Sequence, residues 1–308
     1  MLDSNVNREY KDRLFRFLFG REENKEYALS LYNALNGTSY TNADELEFTT
    51  IEDVVYMGMK NDVSFMIQNF MPLYEHQSSF NPNMPLRGLM YFGKLYDRYM
   101  EKNHFNRYGK ILIKIPTPQY IVFYNGLEEH EEKEILRLSD AFETKDETGG
   151  FEWTAIMLNI NYGRNRKLME ACKPLREYAI FVERVRESIS RLGKEQGIRK
   201  AIDDCIRDGI LREVLSKNKA EVIGMTLTEY DEQEQMKLFK EEGREEGIQL
   251  GIQQGIGQGW EKGLKALVDS LKIFLPDFDA LYDAVIKNED YKNATKEQVR
   301  KYYDCSHK

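Results

Sequence analysis

The stretch NDVSFMIQNFMPLYEHQSSF, residues 61–80, sets Asp62, Glu75 and Gln77 into what otherwise reads as two apolar strands. Strands disfavour Asp and, less strongly, Glu. A hairpin turning near Gln68–Phe70 brings Asp62 opposite the region of Glu75–Gln77. Glu75 and Gln77 are two apart and share a strand face, whereas His76 between them points the other way. Two carboxylates and an amide on one patch suit a magnesium ion, which takes oxygen ligands and often uses only one or two protein carboxylates. Such an ion polarises a phosphodiester and lowers the pKa of a bound water. Gln77, being neutral, is no strong base, but it can orient the water or donate to a phosphate oxygen. Spacing alone also allows a plainer arrangement, in which Asp62 closes a turn after Lys60–Asn61 and Glu75 and Gln77 line a solvated edge.

The elements that must hold this patch follow from periodicity. Residues 7–37 read as helix, with Leu14, Phe17, Leu18, Leu29, Leu31 and Leu35 recurring on one side, a break at Gly20 and a stop at Gly37. Three strands are expected over 45–79: DVVYM, NDVSFMIQ and MPLYEHQS. Pro85 starts a helix over 84–103 whose apolar stripe is Leu86, Leu89, Met90, Leu95 and Tyr99. PTPQYIVFYNG reads as a buried strand ended by Asn-Gly, and LRLSDAF and FEWTAIMLNINYG as further strands. The class is α/β, an α+β mixed sheet with helices, followed by a helical C-terminal region from Arg164 to about residue 240.

The helix after the hairpin interleaves Arg87, Lys94, Arg98 and Lys102 with Tyr91, Phe92, Tyr96 and Tyr99. Its cations suit phosphate contacts, Arg87 above all because it lies in the first turn. Its aromatics suit a core. Net charge is −8, which counts against a general nucleic-acid binder. The charge is unevenly spread, however: residues 84–114 carry seven Lys/Arg against two Asp/Glu, and residues 229–247 carry eight acids against three bases. Three scattered cysteines and four histidines offer neither a disulfide framework nor metal-ligand spacing. With no apolar run near the ~18 residues of a membrane span and no signal-like start, a cytoplasmic protein with no membrane partner is expected.

Glycine recurs every fourth residue at Gly243, Gly247, Gly251, Gly255, Gly259 and Gly263. On a helix this stripe drifts about 40° per step, and each glycine costs about 1 kcal/mol relative to alanine. A second helix approaching closely along the stripe offsets that cost, so the segment reads either as a homo-oligomer contact or as a flexible linker. Beyond it come two short helices, the second opened by Thr295 with Gln298 three residues on, the capping-box spacing.

The segments MGMKNDVSFMI, LYEHQSSFNPNMPLRGLMYF, PTPQYIVFYNG, LRLSDAF and MLNINYGRNRKLME resemble the Rpn family of recombination-promoting nucleases and transposase-type proteins, part of the PD-(D/E)XK nuclease superfamily. The resemblance runs from about residue 10 to residue 240. It implies a restriction-endonuclease-like core of helix, three-stranded meander, helix and strand, and Mg2+-dependent endonuclease activity on DNA, with a link to recombination or mobile-element movement. It places the motif aspartate on Asp62, the glutamate on Glu75 and the usual lysine position on Gln77, with Asp12 as the first-helix acid that completes a metal site. Arg87, Lys94 and Arg98 are the candidate DNA contacts. The corresponding division is a nuclease-like domain over 1–195, a helical extension over 196–240, the glycine segment over 241–264 and a helical tail over 265–308. The alternative is a DNA-binding or oligomeric scaffold of the same fold that does not cut.

Overall fold

The computed structural model describes residues 13–49, 62–144, 148 and 150–305. The first helical segment divides at Gly20, as its glycine predicts, into α1 (Arg13–Phe19) and α2 (Lys25–Asn36). α2 stops at Gly37, which caps it at φ 63°, a left-handed backbone that glycine adopts without a Cβ penalty. Six strands follow: β1 (Glu47–Phe48), β2 (Val63–Met66), β3 (Phe70–Gln77), β4 (Thr117–Tyr124), β5 (Lys133–Arg137) and β6 (Thr154–Asn159). Between β3 and β4 runs α3 (Met84–Lys102), with Pro85 in its first turn.

The strands form one mixed sheet in the order β1-β2-β3-β4-β6-β5. β1, β2 and β3 are antiparallel neighbours, β3–β4 and β4–β6 are parallel, and β5 closes the sheet antiparallel to β6. Parallel β3 and β4 need a crossover, and α3 supplies it. The strand expected over 53–57 lies outside the described residues; among those described, the strand beside β2 on the side away from β3 is the two-residue β1. The LRLSDAF strand is displaced: β5 ends at Arg137, and Leu138–Ala141 form a 3-10 turn.

Each face of the sheet carries its own core, as strand alternation requires. Val63, Phe65, Ile67, Tyr74 and Phe123 pack against α1, α2 and the helices α5 (Lys173–Leu192), α6 (Lys194–Asp208) and α7 (Arg212–Lys217). Short α4 (Arg166–Ala171) leads into α5. Met71, Leu73, Tyr120, Val122 and Met157 pack against Met84, Tyr91, Phe92 and Leu95 of α3. The buried stripe of α3 is therefore rotated from the expected one: Leu86 and Met90 are exposed, and Gly88, Tyr91 and Phe92 face the sheet. Gly88 is required there, since a Cβ would stand 2.2 Å from the Tyr120 ring.

The chain divides into two compact units, Met1–Gln233 and Glu234–Lys308. The first core extends past residue 195, taking in Ile198, Ile202, Leu215 and Val222. α8 (Lys219–Lys272) contains the whole glycine series, so the series is helical rather than a flexible linker. In the second unit, α9 (Phe278–Ile286) and α10 (Lys296–Cys305) share a small core of Leu264, Val268, Leu281, Val285 and Val299. α10 starts with the expected reciprocal cap: the Gln298 amide N–H donates to Thr295 Oγ1 at 3.2 Å and the Thr295 N–H to Gln298 Oε1 at 2.9 Å. Among the described residues, no helix is long and apolar enough to cross a membrane.

Candidate active site on the hairpin

The hairpin turns on Gln68–Asn69. Ile67 and Phe70 exchange backbone hydrogen bonds of 3.1 and 2.9 Å, and Gln68 takes the positive φ of 52° that a two-residue turn demands. Val63 pairs with Tyr74 and Ser64 with Leu73. Continuing that register sets Asp62 beside Glu75, and the side chains interlock there. The Asp62 N–H donates to Glu75 Oε1 at 3.1 Å, and the His76 N–H donates to Asp62 Oδ2 at 2.8 Å. Each carboxylate is thus oriented by a backbone amide of the other strand.

The solvated-edge alternative is excluded. β3 lies inside the sheet between β2 and β4, and the Glu75 side chain is only 2% exposed. A buried carboxylate needs charge compensation, which the first turn of α3 supplies. Arg87 Nη2 donates to Glu75 Oε2 at 2.9 Å and to the Tyr91 hydroxyl at 3.0 Å. Burial opposes the Arg87 charge, but Glu75 and Tyr91 more than offset it and hold the guanidinium above its ordinary pKa. Burial and the Glu75 charge push Tyr91 up to about 12, so it stays a neutral phenol. The Tyr120 hydroxyl is buried on the same face, with no hydrogen-bond partner among the described residues, and burial and Glu75 raise its pKa strongly. Neither tyrosine is marked by local spacing: Tyr91 reads as helix core and Tyr120 as strand core.

Gln77 lies on the Glu75 face, as parity predicts. Its Nε2 donates to Met157 Sδ at 3.2 Å, while its Oε1 is buried without a hydrogen-bond partner among the described residues. His76 lies on the opposite face. Its ring stacks on Phe15 at 5.2 Å, and its Nε2 shares a 3.0 Å hydrogen bond with the Tyr178 hydroxyl. Burial first, with Arg186 adding to it, lowers its pKa to about 4 despite the opposing pull of Glu229. The imidazole is therefore neutral near pH 7. Asn125 donates to the Tyr178 oxygen at 3.3 Å, and Arg186 donates to Asn161 Oδ1 at 2.9 Å and to the Asn125 carbonyl. This polar network behind β3 joins residues more than a hundred positions apart, so no sequence window contains it.

The proposed basic contacts are not equivalent. Arg87 is directed at Glu75, with its side chain still 39% exposed. The Lys94 ammonium nitrogen is buried and has no hydrogen-bond partner among the described residues, so in this conformation it does not face a phosphate. Arg98 is exposed. Asp12 lies outside the described residues, and among those described no group of three or more His, Cys, Asp or Glu is gathered as a metal site. Asp62 and Glu75 nevertheless offer oxygen donors of the kind a hard divalent cation takes, its remaining positions going to water. They fit such an ion in chemical type, with Arg87 as the competitor for Glu75 Oε2. No family model matches the chain, and neither a curated protein nor a solved structure matches it.

Proposed function

We propose that this chain is a Mg2+-dependent DNA endonuclease with a PD-(D/E)XK-like core, as its resemblance to the Rpn family implies. The observation that carries the reading is the interlock of Asp62 and Glu75 across the β2–β3 hairpin, on the face that also holds Gln77. The order α1, α2, β1, β2, β3, α3, β4 supports it, since it contains the helix, meander, helix and strand succession that the resemblance implies. A bound divalent cation would supply Lewis-acid polarisation of the phosphate and a water of lowered pKa.

The chain's own residues do the rest. Asp62 and Glu75 would hold the ion; each is already oriented by a backbone amide of the other strand, so little ordering would remain to be done on binding. Gln77, on the same strand face, is the residue that would orient the attacking water once its buried amide turned toward the ion; a neutral amide does not take the proton. Arg87 neutralises Glu75 in this arrangement, and with a cation in that role it would be released to meet a phosphate oxygen. Tyr91, held as a phenol, keeps Arg87 in place.

The test is plasmid nicking with Mg2+, comparing wild type with Asp62→Asn and Glu75→Gln at matched thermal stability. Near-complete loss in both is expected, and activity that survives both substitutions removes the reading. A second reading, a DNA-binding oligomeric scaffold, is favoured by the occupied Glu75 carboxylate and by α8. There Ile248, Ile252 and Ile256 are exposed beside glycines that a Cβ could join without meeting any atom within 4 Å. Salt-steep DNA binding with no cleavage under any divalent metal would establish it.

A further inference from the structure

The segment joining α3 to β4, residues 103–116, carries Arg107, Lys110 and Lys114 and no carboxylate. Its base is fixed. The Phe105 ring packs 5.9 Å from Tyr99, Arg107 Nη1 donates to Asp97 Oδ1 at 2.7 Å, and the Tyr96 hydroxyl donates to the Pro116 carbonyl at 2.9 Å. A turn is closed from Gly109 N–H to the Asn106 carbonyl at 3.0 Å, and Asn106 Oδ1 accepts from the Tyr108 N–H at 3.0 Å. On this anchored base stand Tyr108, Ile111 and Leu112, which are 91%, 86% and 78% exposed. Three large apolar side chains exposed within five residues of one another, between these anchors, mark a contact surface rather than a scattering of surface residues.

We infer that this segment is a second DNA-contact arm, in which Tyr108, Ile111 and Leu112 wedge between base steps while Lys110 and Lys114 hold the flanking phosphates. The inference rests on the DNA reading above and extends it to a site remote from the hairpin. Apolar wedges flanked by cations are the means by which proteins unstack and bend a duplex, and the cations answer the charge of the backbone. Continuity with the proposed active site comes through α3. From Arg87 to Asn103 the helix rises about 24 Å at ~1.5 Å per residue. That is roughly 7 base pairs at about 3.4 Å each. Exposed Arg98 lies along that path. A duplex following α3 meets Arg87 at one end and the wedge at the other.

The experiment uses the full chain and a duplex of about 30 base pairs containing 2-aminopurine, read by anisotropy and by fluorescence across a salt series. Ile111→Ser with Leu112→Ser is expected to weaken binding about tenfold and to abolish the fluorescence rise that reports unstacking. Lys110→Gln with Lys114→Gln is expected to lower the slope of log K against log salt by about 1.8. All four positions are exposed, so thermal stability should stay within that of wild type. Wild-type affinity and unstacking in both variants overturn the arm, as does binding to phosphatidylglycerol vesicles that depends on Ile111 and Leu112 while duplex binding does not. If the wild type cleaves DNA and the arm variants bind as it does, only the arm fails. If the wild type binds no duplex, the DNA reading fails with it.

Discussion

Replacing Arg87 with methionine removes the cation from a carboxylate that is 2% exposed while keeping most of the side-chain volume. At 2.9 Å and an effective dielectric of about 20, the gross attraction is about 6 kcal/mol. Arg87 is itself 39% exposed, so water screens part of this and takes part of its place. The expected net loss is about 2–3 kcal/mol, between the values for surface pairs and for fully buried ones. The reverse change, Glu75→Gln, leaves the charge on the more exposed partner and should cost about 1 kcal/mol. The double variant should therefore lose less than the sum of the singles, with a coupling of about 1–2 kcal/mol. Urea unfolding should be followed by the fluorescence of Trp153, which packs on Phe92 in the first unit, in a Trp260→Phe background that silences the second. Divalent cation adds a second readout. If Glu75 is a ligand, 10 mM Mg2+ should restore roughly 1.4 kcal/mol to Arg87→Met at a Kd near 1 mM, and nothing to Glu75→Gln. An Arg87→Met chain as stable as wild type, or one whose loss is additive with Glu75→Gln, refutes the idea that this pair compensates a buried charge.

Gly88→Ala drives a Cβ to 2.2 Å from the buried Tyr120 ring and should destabilise the first unit by about 1–3 kcal/mol despite the better helix propensity. Gly93→Ala on the same helix meets no atom within 4 Å and should instead stabilise by up to about 1 kcal/mol; paired melting curves check both. His76, held near 4 against an ordinary 6.5 chiefly by burial, favours the folded state above the unfolded pKa. As pH falls from about 6.5 towards 4 the unfolded chain takes up a proton that the folded chain refuses. About 3 kcal/mol is then lost, and His76→Asn should flatten that part of a stability–pH curve. Gly251→Ala with Gly255→Ala should raise helix content in circular dichroism, since nothing lies within 4 Å of either position. If a second copy packs along the stripe, the same methyl groups should also abolish concentration-dependent association in sedimentation.

Much of the site was legible from local chemistry. Strand alternation separates Glu75 and Gln77 from His76 wherever the strand lies, and the hairpin turn then forces Asp62 beside Glu75. Gly20, Gly37, Pro85 and the Thr295–Gln298 pair mark element ends because capping and backbone constraints act within a few residues. Periodicity alone could not choose the buried side of α3. Apolar residues surround that helix, and contact with Tyr120 and the hairpin turned Gly88, Tyr91 and Phe92 inward and left Leu86 and Met90 outside. The same rotation directed Arg87 at Glu75 and buried the Lys94 nitrogen, both of which read from the sequence as outward-facing cations. Tyr178, Asn125 and Arg186 met behind His76 only because α5 packs on the sheet face that β3 presents to it. The sequence by itself determined which atoms could share a strand face, since backbone stereochemistry sets that over a few residues. Which charges were compensated, and by whom, was decided only when distant surfaces met.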